Sequence, residues 1–143
     1  MKLFRRKIHL WFIIFVFFLL GCQGKEMLIL PNGELLTVEV ARTREEQSRG
    51  LMERENLGDH DAMLFVYDRE DFRTFWMKNT LIPLDIIFLD SNWKIVDMKN
   101  MQPCSEDPCA LYPSLSPAQY AVEVKAGSLA EWGLKVGDEI GKK

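Results

Sequence analysis

The chain has 143 residues, enough for one domain, and its 21 acidic residues against 18 basic ones give a formal net charge of −3. This balance argues against a broadly basic nucleic-acid-binding protein. Two histidines are too few for a His-rich zinc site.

The first 22 residues predict an export signal. Four basic residues among the first seven precede an apolar stretch from Ile8 to Leu20 that is interrupted by His9. This stretch is too short to cross a bilayer as a helix, which takes about 20 residues. The residues from Leu19 to Cys22 resemble a lipobox, which implies cleavage before Cys22 and a diacylglyceryl group on its sulfur. The alternative is an uncleaved anchor with an incidental cysteine.

We therefore expect a lipoprotein signal peptide at residues 1–21, a lipidated tether at 22–26 and one globular domain at 27–143. The protein would be exported and held on a cell-envelope membrane through the lipid on Cys22, facing the periplasm. The signal holds four of the 18 basic residues and none of the 21 acidic ones, so the remainder carries a net charge of −7. A polybasic surface for nucleic acid or lipid headgroups is not expected from that charge.

Cys104 and Cys109 are the two cysteines that remain after Cys22. Outside the cytoplasm two nearby thiols tend to oxidise to each other, which predicts a structural disulfide. Redox-active thiols are an alternative, although the spacing is not that of a C-x-x-C motif. A metal site is a further alternative, although two thiolates leave a tetrahedral ion half-ligated.

The amino-terminal part of the domain predicts a hairpin and a helix. Met27 to Leu30 is apolar, Pro31 to Gly33 supplies a turn, and Leu36 to Val40 alternates as a half-buried strand does. Thr43 to Glu46 has the pattern of a capping box, so a short helix should begin there and end near Gly50.

The middle of the chain predicts four strands. Met63 to Tyr67 and Phe72 to Met77 are two candidates, with a turn at Asp68 to Asp71 between them. Leu84 to Leu89 is apolar on nearly every residue, which is typical of a central strand. Trp93 to Met98 alternates and should return beside it.

The carboxy-terminal part begins with a loop from Gln102 to Pro117, which holds four prolines. Tyr120 to Lys125 alternates and predicts a late strand. Ser128 to Glu131 has the pattern of a second capping box, and Gly133 should end that helix. A turn and a short strand should occupy Val136 to Ile140.

These elements amount to about seven or eight short strands and two short helices. A doubly wound α/β fold is excluded because long helices do not alternate with the strands. We predict a mainly β (β-rich α+β) fold, a small curled sheet or barrel with two short helices, in which barrel closure would remove exposed sheet edges.

Several segments together resemble the family filed as domain of unknown function 192. They are Arg49 to Met52, Ala62 to Val66, Phe75 to Thr80, Ile82 to Leu89, and Glu123 to Gly127 with Gly133 and Gly137-Asp138. The resemblance covers about Leu35 to Ile140, and its most specific part is Trp76 to Thr80 followed by Pro83 to Asp85. It implies a small β-rich domain, often exported, and it implies no particular activity.

Asp85 is the centre of the candidate site because it lies inside an apolar strand, where an unpaired carboxylate is costly. One interpretation is structural: Asp85 accepts from turn amides near Asn79 and Thr80, or pairs with Arg49. Another is a pocket for a polar ligand. A third is a catalytic carboxylate. The candidate binding residues are Arg49, Trp76, Lys78, Asn79, Thr80 and Asp85.

Other residue types leave weaker possibilities. Five methionines could offer thioethers to Cu(I), but methionine also fills gaps in apolar cores. His60 lies in a polar loop, where a solvated side chain is more common than a catalytic one. Trp76, Trp93 and Trp132 predict packing unless two of them are exposed on one face. We expect no metal and no cofactor. The five methionines whose thioethers could bind Cu(I) are Met52, Met63, Met77, Met98 and Met101.

These observations favour a membrane-anchored envelope lipoprotein whose domain is more a binding module than an enzyme. The domain would bind a small polar ligand or an envelope protein around Asn79, Thr80 and Asp85, and it would not bind nucleic acid. The alternative is an envelope hydrolase or isomerase that uses Asp85 as general base with Arg49 or Lys78 as electrostatic support. A protein-interaction module would instead show a flat apolar patch.

Overall fold

The computed structural model describes residues 26–58 and 61–143 of the chain, so Cys22, the predicted signal peptide and His60 lie outside the described residues. Within these ranges the fold has nine strands and two helices. The elements are β1 (Glu26–Ile29), β2 (Leu35–Ala41), α1 (Arg44–Arg49), β3 (Ala62–Asp71), β4 (Thr74–Trp76), β5 (Leu84–Leu89), β6 (Ile95–Met101), β7 (Leu111–Pro113), β8 (Ala118–Lys125), α2 (Ser128–Trp132) and β9 (Gly141–Lys142).

Seven strands form one curled sheet in the order β6-β5-β8-β3-β2-β1-β9, and β4 pairs with β7 in a separate ribbon. Strands β2 and β3 are parallel, and the other pairs are antiparallel. The predicted mainly β fold is therefore confirmed. The sheet is a half-barrel and not a closed barrel, because β6 and β9 are its edges and do not pair with each other. Backbone bonds join segments beside these edges, such as the bond from Ile140 N–H to the carbonyl of Trp93 at 3.0 Å.

The two faces of the sheet cover two separate apolar clusters. Ile87 and Val122 face the cluster on which α2 packs through Leu129 and Trp132. Their neighbours along β5 and β8 face the other cluster, where the ring of Phe75 from β4 meets that of Phe65 edge-on at 5.0 Å between centroids. Strand β5 is buried on both faces, as its apolar sequence predicted. Asp85 on β5 and Glu123 on β8 are polar side chains in the middle of this packing, and both are buried.

The hairpin of β1 and β2 and the helix α1 form as predicted, because local sequence specifies both. The Thr43 hydroxyl accepts from the backbone N–H of Glu46 at 3.2 Å, and the Glu46 carboxylate accepts from the N–H of Thr43 at 2.9 Å. Gly50 ends the helix. In the described residues, no helix has the length and apolar character needed to cross a membrane.

The predicted turn at Asp68 to Asp71 is wrong. Strand β3 runs on to Asp71, with a shift in its register against β8 after Val66. Strand β4 then pairs with β7, which lies inside the segment predicted to be a loop. Polar residues suggested a turn here, whereas pairing with strands distant in sequence keeps the chain extended.

The second predicted capping box is also wrong. The N-cap of α2 is Gly127, and Ser128 is already inside the helix and buried. Glycine has no side chain that could accept from the first-turn amides, so these amides need an acceptor from elsewhere in the fold. Gly133 ends the helix in the left-handed conformation, as predicted.

Candidate functional site

Asp85 supplies the acceptor that α2 lacks. Its side chain is completely buried, and one carboxylate oxygen accepts from the backbone N–H groups of Gly127 at 2.9 Å and Leu129 at 3.0 Å. The other oxygen accepts a short hydrogen bond from the side-chain amide of Asn100 on β6. The residues suggested as its partners from sequence, Arg49 and the turn at Asn79, do not make these bonds. This geometry favours the structural interpretation of Asp85.

The segment from Trp76 to Thr80 lies apart from Asp85. Thr80 is buried, and its N–H donates to the carbonyl of Met77 at 3.1 Å. Asn79 adopts a left-handed φ of 55°, and its carbonyl accepts from the N–H of Glu53 at 2.7 Å. This bond joins the turn after β4 to the loop after α1, the helix that ends at Arg49.

Lys78 faces the loop that carries the disulfide. Its Nζ is 3.3 Å from a carboxylate oxygen of Asp107 and 5.8 Å from the centre of the Trp76 ring. Trp76 is 46% exposed. These contacts place Lys78 and Trp76 together on the surface. The ion-pair partner of Lys78, Asp107, is not one of the candidate binding residues predicted from the sequence.

The disulfide between Cys104 and Cys109 is formed, as the sequence predicted. The N–H of Cys104 donates to the carbonyl of Met77 at 3.3 Å and ties the loop to the turn after β4. Cys104, Asp107 and Cys109 bring three potential ligand atoms within 4.8 Å of one another. The bonded sulfurs are not thiolates, so this group is a poor metal site in the oxidised protein.

A cleft beside α1, which we call the α1 cleft, has a volume of about 360 Å³. It lies between the end of β2, the start of β3 and the loop after α1. The exposed Arg49 lies on its wall, as does Arg54, whose guanidinium binds the Glu39 carboxylate through two hydrogen bonds at 2.6 and 2.8 Å. Its wall also includes Gly50, Met52, Glu53 and Met63.

Behind the α1 cleft lies Glu123, a residue that the sequence analysis did not select. It is 4% exposed, and burial raises the pKa of its carboxyl to about 8. A Cβ placed on Gly50 would lie 3.9 Å from its Oε2, and Met63 is its cross-strand neighbour. None of the hydrogen bonds found among the described residues reaches this carboxyl. The alternation of residue types along Tyr120 to Lys125 suggested a half-buried strand with Glu123 facing solvent. In the structure β8 is a central strand, and both of its faces are covered.

The remaining sequence candidates join the apolar clusters. Met63, Met77 and Met101 are buried together, which is how methionine fills core gaps. Trp93 stacks on the Tyr120 ring at 4.0 Å between centroids. Trp132 packs on the cluster under α2. Neither of these tryptophans joins Trp76 on an exposed face, so Trp93 and Trp132 have the packing role that the sequence predicted.

A curled half-barrel with a separate β ribbon and two short helices defines a class of small β-rich domains. The model of one such family, domain of unknown function 192, described as "Uncharacterized ACR", matches residues 27–141. The chain belongs to this family. A UPF0127 protein from Thermococcus sibiricus is 31% identical over 108 residues, which make up 72% of this chain and 64% of that protein.

Two solved structures have the same fold. A protein of unknown function from Novosphingobium aromaticivorans is 35% identical, with a TM-score of 0.71 over 81% of this chain and 82% of that one. A putative transcription regulator from Sinorhizobium meliloti is 33% identical, with a TM-score of 0.72 over 82% of this chain and 92% of that one.

Proposed function

We propose that the chain is an exported lipoprotein, anchored to a cell-envelope membrane and facing the periplasm, whose domain binds a small polar ligand in the α1 cleft. The anchor is supported by the basic head, the apolar core and the lipobox-like end at Cys22. The disulfide is consistent with an oxidising compartment. Strand β1 begins four residues after Cys22, so the lipid would lie within about 14 Å of the sheet.

The observation that carries the binding role is the buried Glu123 carboxyl behind Gly50 and Met63. A carboxyl with a pKa of about 8 is largely protonated at neutral pH and can donate one hydrogen bond while it accepts another. Buried polar groups without protein partners are uncommon in folded proteins and call for an explanation. A ligand with hydroxyl or carbonyl groups would satisfy Glu123, with the Arg49 guanidinium as a further donor on the wall.

A binding role is better supported than the alternative of an enzyme that uses Asp85 as general base. Both carboxylate oxygens of Asp85 are occupied, and the side chain has no exposed surface. A general base must reach the proton that it removes. The cysteines are also unsuited to nucleophilic catalysis while they are joined in a disulfide.

A second candidate is a docking site for an envelope protein on the ribbon of β4 and β7. Trp76 and Leu111 are cross-strand neighbours, and both are exposed. Such an apolar pair is the kind of surface expected of an interaction module. The Sinorhizobium relative is described as a putative transcription regulator. Such a role is less well supported for this chain, because a net charge of −7 outside the signal disfavours a nucleic-acid surface.

Mass spectrometry of protein purified from membranes tests the anchor. The expected mass is that of a chain beginning at Cys22 with a diacylglyceryl group, and an unmodified precursor in the soluble fraction would overturn the proposal.

Amide NMR shifts during titration with monosaccharides, amino acids and small carboxylic acids test the binding role. We expect ligand to shift the amide signals of residues 49–54. These shifts should be smaller in Glu123→Gln and Arg49→Gln and unchanged in Lys135→Gln, an exposed control. No shift with any of these compounds would contradict the α1 cleft as the site.

A further inference from the structure

A second cleft, of about 520 Å³, collects arginines in an otherwise acidic domain. We call it the arginine cleft, and it lies where β2 ends, beside the part of β3 that continues beyond its parallel pairing with β2. Four arginines and two aspartates lie in its wall, and Glu26 pairs with Arg42, so the local charge is about +1, against −7 for the chain after the signal. Net charge therefore hid a basic site that only folding assembles. The charged residues of its wall are Arg42, Arg44, Arg69, Arg73, Asp68 and Asp71.

The arginines are held to different degrees. Arg73 is fixed, because its Nε donates to the carbonyl of Ala118 at 3.0 Å and its guanidinium lies 3.8 Å from the centre of the Tyr67 ring. Among residues 26–58 and 61–143, the one ion pair found for Arg69 is a long, exposed contact of 3.8 Å with Asp71. Arg44 has no ion-pair partner among the described residues. The cleft thus combines one rigid guanidinium with side chains that can close on an anion.

Topology places the arginine cleft beside the proposed anchor. Glu26, at the start of β1, pairs with Val38 in antiparallel β2, so β1 begins near the end of β2, which is also the end that leads into the arginine cleft. Arg42 confirms this proximity, because its Nη2 lies 2.5 Å from a carboxylate oxygen of Glu26. The three residues between Cys22 and Glu26 would keep this end of the domain close to the membrane surface.

Two exposed apolar side chains flank the arginine cleft. Phe72, directly before Arg73, is 64% exposed, and Leu115 is 74% exposed. The N–H of Ser114 donates to the carbonyl of Arg73 at 2.7 Å, which holds Leu115 on the same side of the fold. Exposed apolar residues next to basic ones are typical of surfaces that contact the headgroup region of a bilayer.

We propose that the arginine cleft binds the phosphate of an anionic phospholipid in the membrane that carries the protein. This inference rests on the proposed lipid anchor. Arginine suits this ligand because its planar guanidinium can bind two phosphate oxygens at once. A phospholipid carries a single phosphodiester charge, which a local charge of about +1 can balance, whereas a long polyanion would also meet the acidic remainder of the domain.

The test is an NMR titration of the purified mature protein in neutral detergent with dihexanoyl phosphatidylglycerol. We expect amide shifts in residues 66–73 and much weaker shifts with zwitterionic dihexanoyl phosphatidylcholine. Arg44→Gln and Arg69→Gln should each weaken binding about fivefold. The control Lys125→Gln removes an exposed charge at the opposite end of β8 and should leave the affinity unchanged.

The outcomes separate the possible sources of phosphate. Equal binding of inorganic phosphate would overturn the assignment to a lipid headgroup, and so would tighter binding of a short DNA duplex. No shift with phosphatidylglycerol, or equal loss of binding in Lys125→Gln, would overturn the site itself. Because soluble short-chain lipid is used, the titration reports on the arginine cleft even if mass spectrometry finds Cys22 unmodified.

Discussion

The carboxylate of Asp85 accepts a hydrogen bond from the backbone N–H of Gly127 at 2.9 Å, across 42 residues of sequence. Together with the bond from Leu129, this contact makes a strand residue the cap of helix α2. A buried acid that looked like a functional group is thereby explained as the group that satisfies the amides at a helix start.

Removing this cap should destabilise the domain. We expect Asp85→Ala to lower the free energy of unfolding by about 3 kcal/mol, because buried amides lose a charged acceptor. Asp85→Asn should cost less, about 1–2 kcal/mol, since its carbonyl oxygen can still accept. Urea denaturation measures both, with the exposed Asp68→Asn as a control expected to stay within about 0.5 kcal/mol of the parent protein. If Asp85→Asn kept full stability and lost ligand binding, the structural role would be wrong.

Glu123 should make stability depend on pH. The folded carboxyl, with its pKa raised to about 8, holds a proton that the unfolded chain releases near 4.5, the ordinary pKa of a glutamate side chain. The free energy of unfolding contributed by this group is therefore greatest below the unfolded pKa and falls as pH rises towards about 8.

The variant Glu123→Gln removes this titration. Relative to Glu123→Gln, the parent protein should lose a few kcal/mol of stability, as an order of magnitude, between about pH 5 and pH 8. Urea denaturation across that range checks this, and Glu106→Gln in the exposed loop should retain the pH dependence of the parent. If the free energy of unfolding changed with pH in the same way for the parent and Glu123→Gln, this carboxyl would be ionised in the folded protein.

Gly50 should not tolerate a side chain. Its φ of 47° and ψ of −129° are unfavourable for other residues, and an added Cβ would lie 3.4 Å from the ring of Phe65. We expect Gly50→Ala to cost about 1–3 kcal/mol, measured as a lower Tm. The neighbouring exposed position offers a control, since Ser48→Ala should leave Tm nearly unchanged. An unaltered Tm in Gly50→Ala would show that the turn can relax.

The disulfide should stabilise one loop more than the whole domain. It closes a loop with a sequence separation of 5, so the chain-entropy model gives about 2 kcal/mol. The double variant Cys104→Ser/Cys109→Ser should remain folded while amides of residues 102–109 exchange faster with solvent. Reducing agent should affect the parent protein and not this variant. Global unfolding on reduction would disprove the local role.

The sequence alone determined the elements whose stabilising contacts are local. Thr43 and Glu46 are three residues apart and cap α1 with their own side chains, so the pattern was sufficient. The turn between β1 and β2 and the central strand β5 could also be predicted from the sequence. Turns favour particular residue types, and a strand that is buried on both faces consists mainly of apolar residues. The family resemblance then indicated the mainly β fold and the segments around Arg49 and Trp76.

Only the tertiary structure decided what depends on distant pairings. Glu123 is buried because β8 lies between β3 and β5, and alternation along one strand cannot reveal its neighbours. The cap of α2 comes from Asp85, and the arginine cleft forms where the segment after β2 meets the later part of β3. In each case the environment of a side chain is set by residues far away in sequence, so burial, hydrogen-bond partners and local charge emerge only when the sheet assembles.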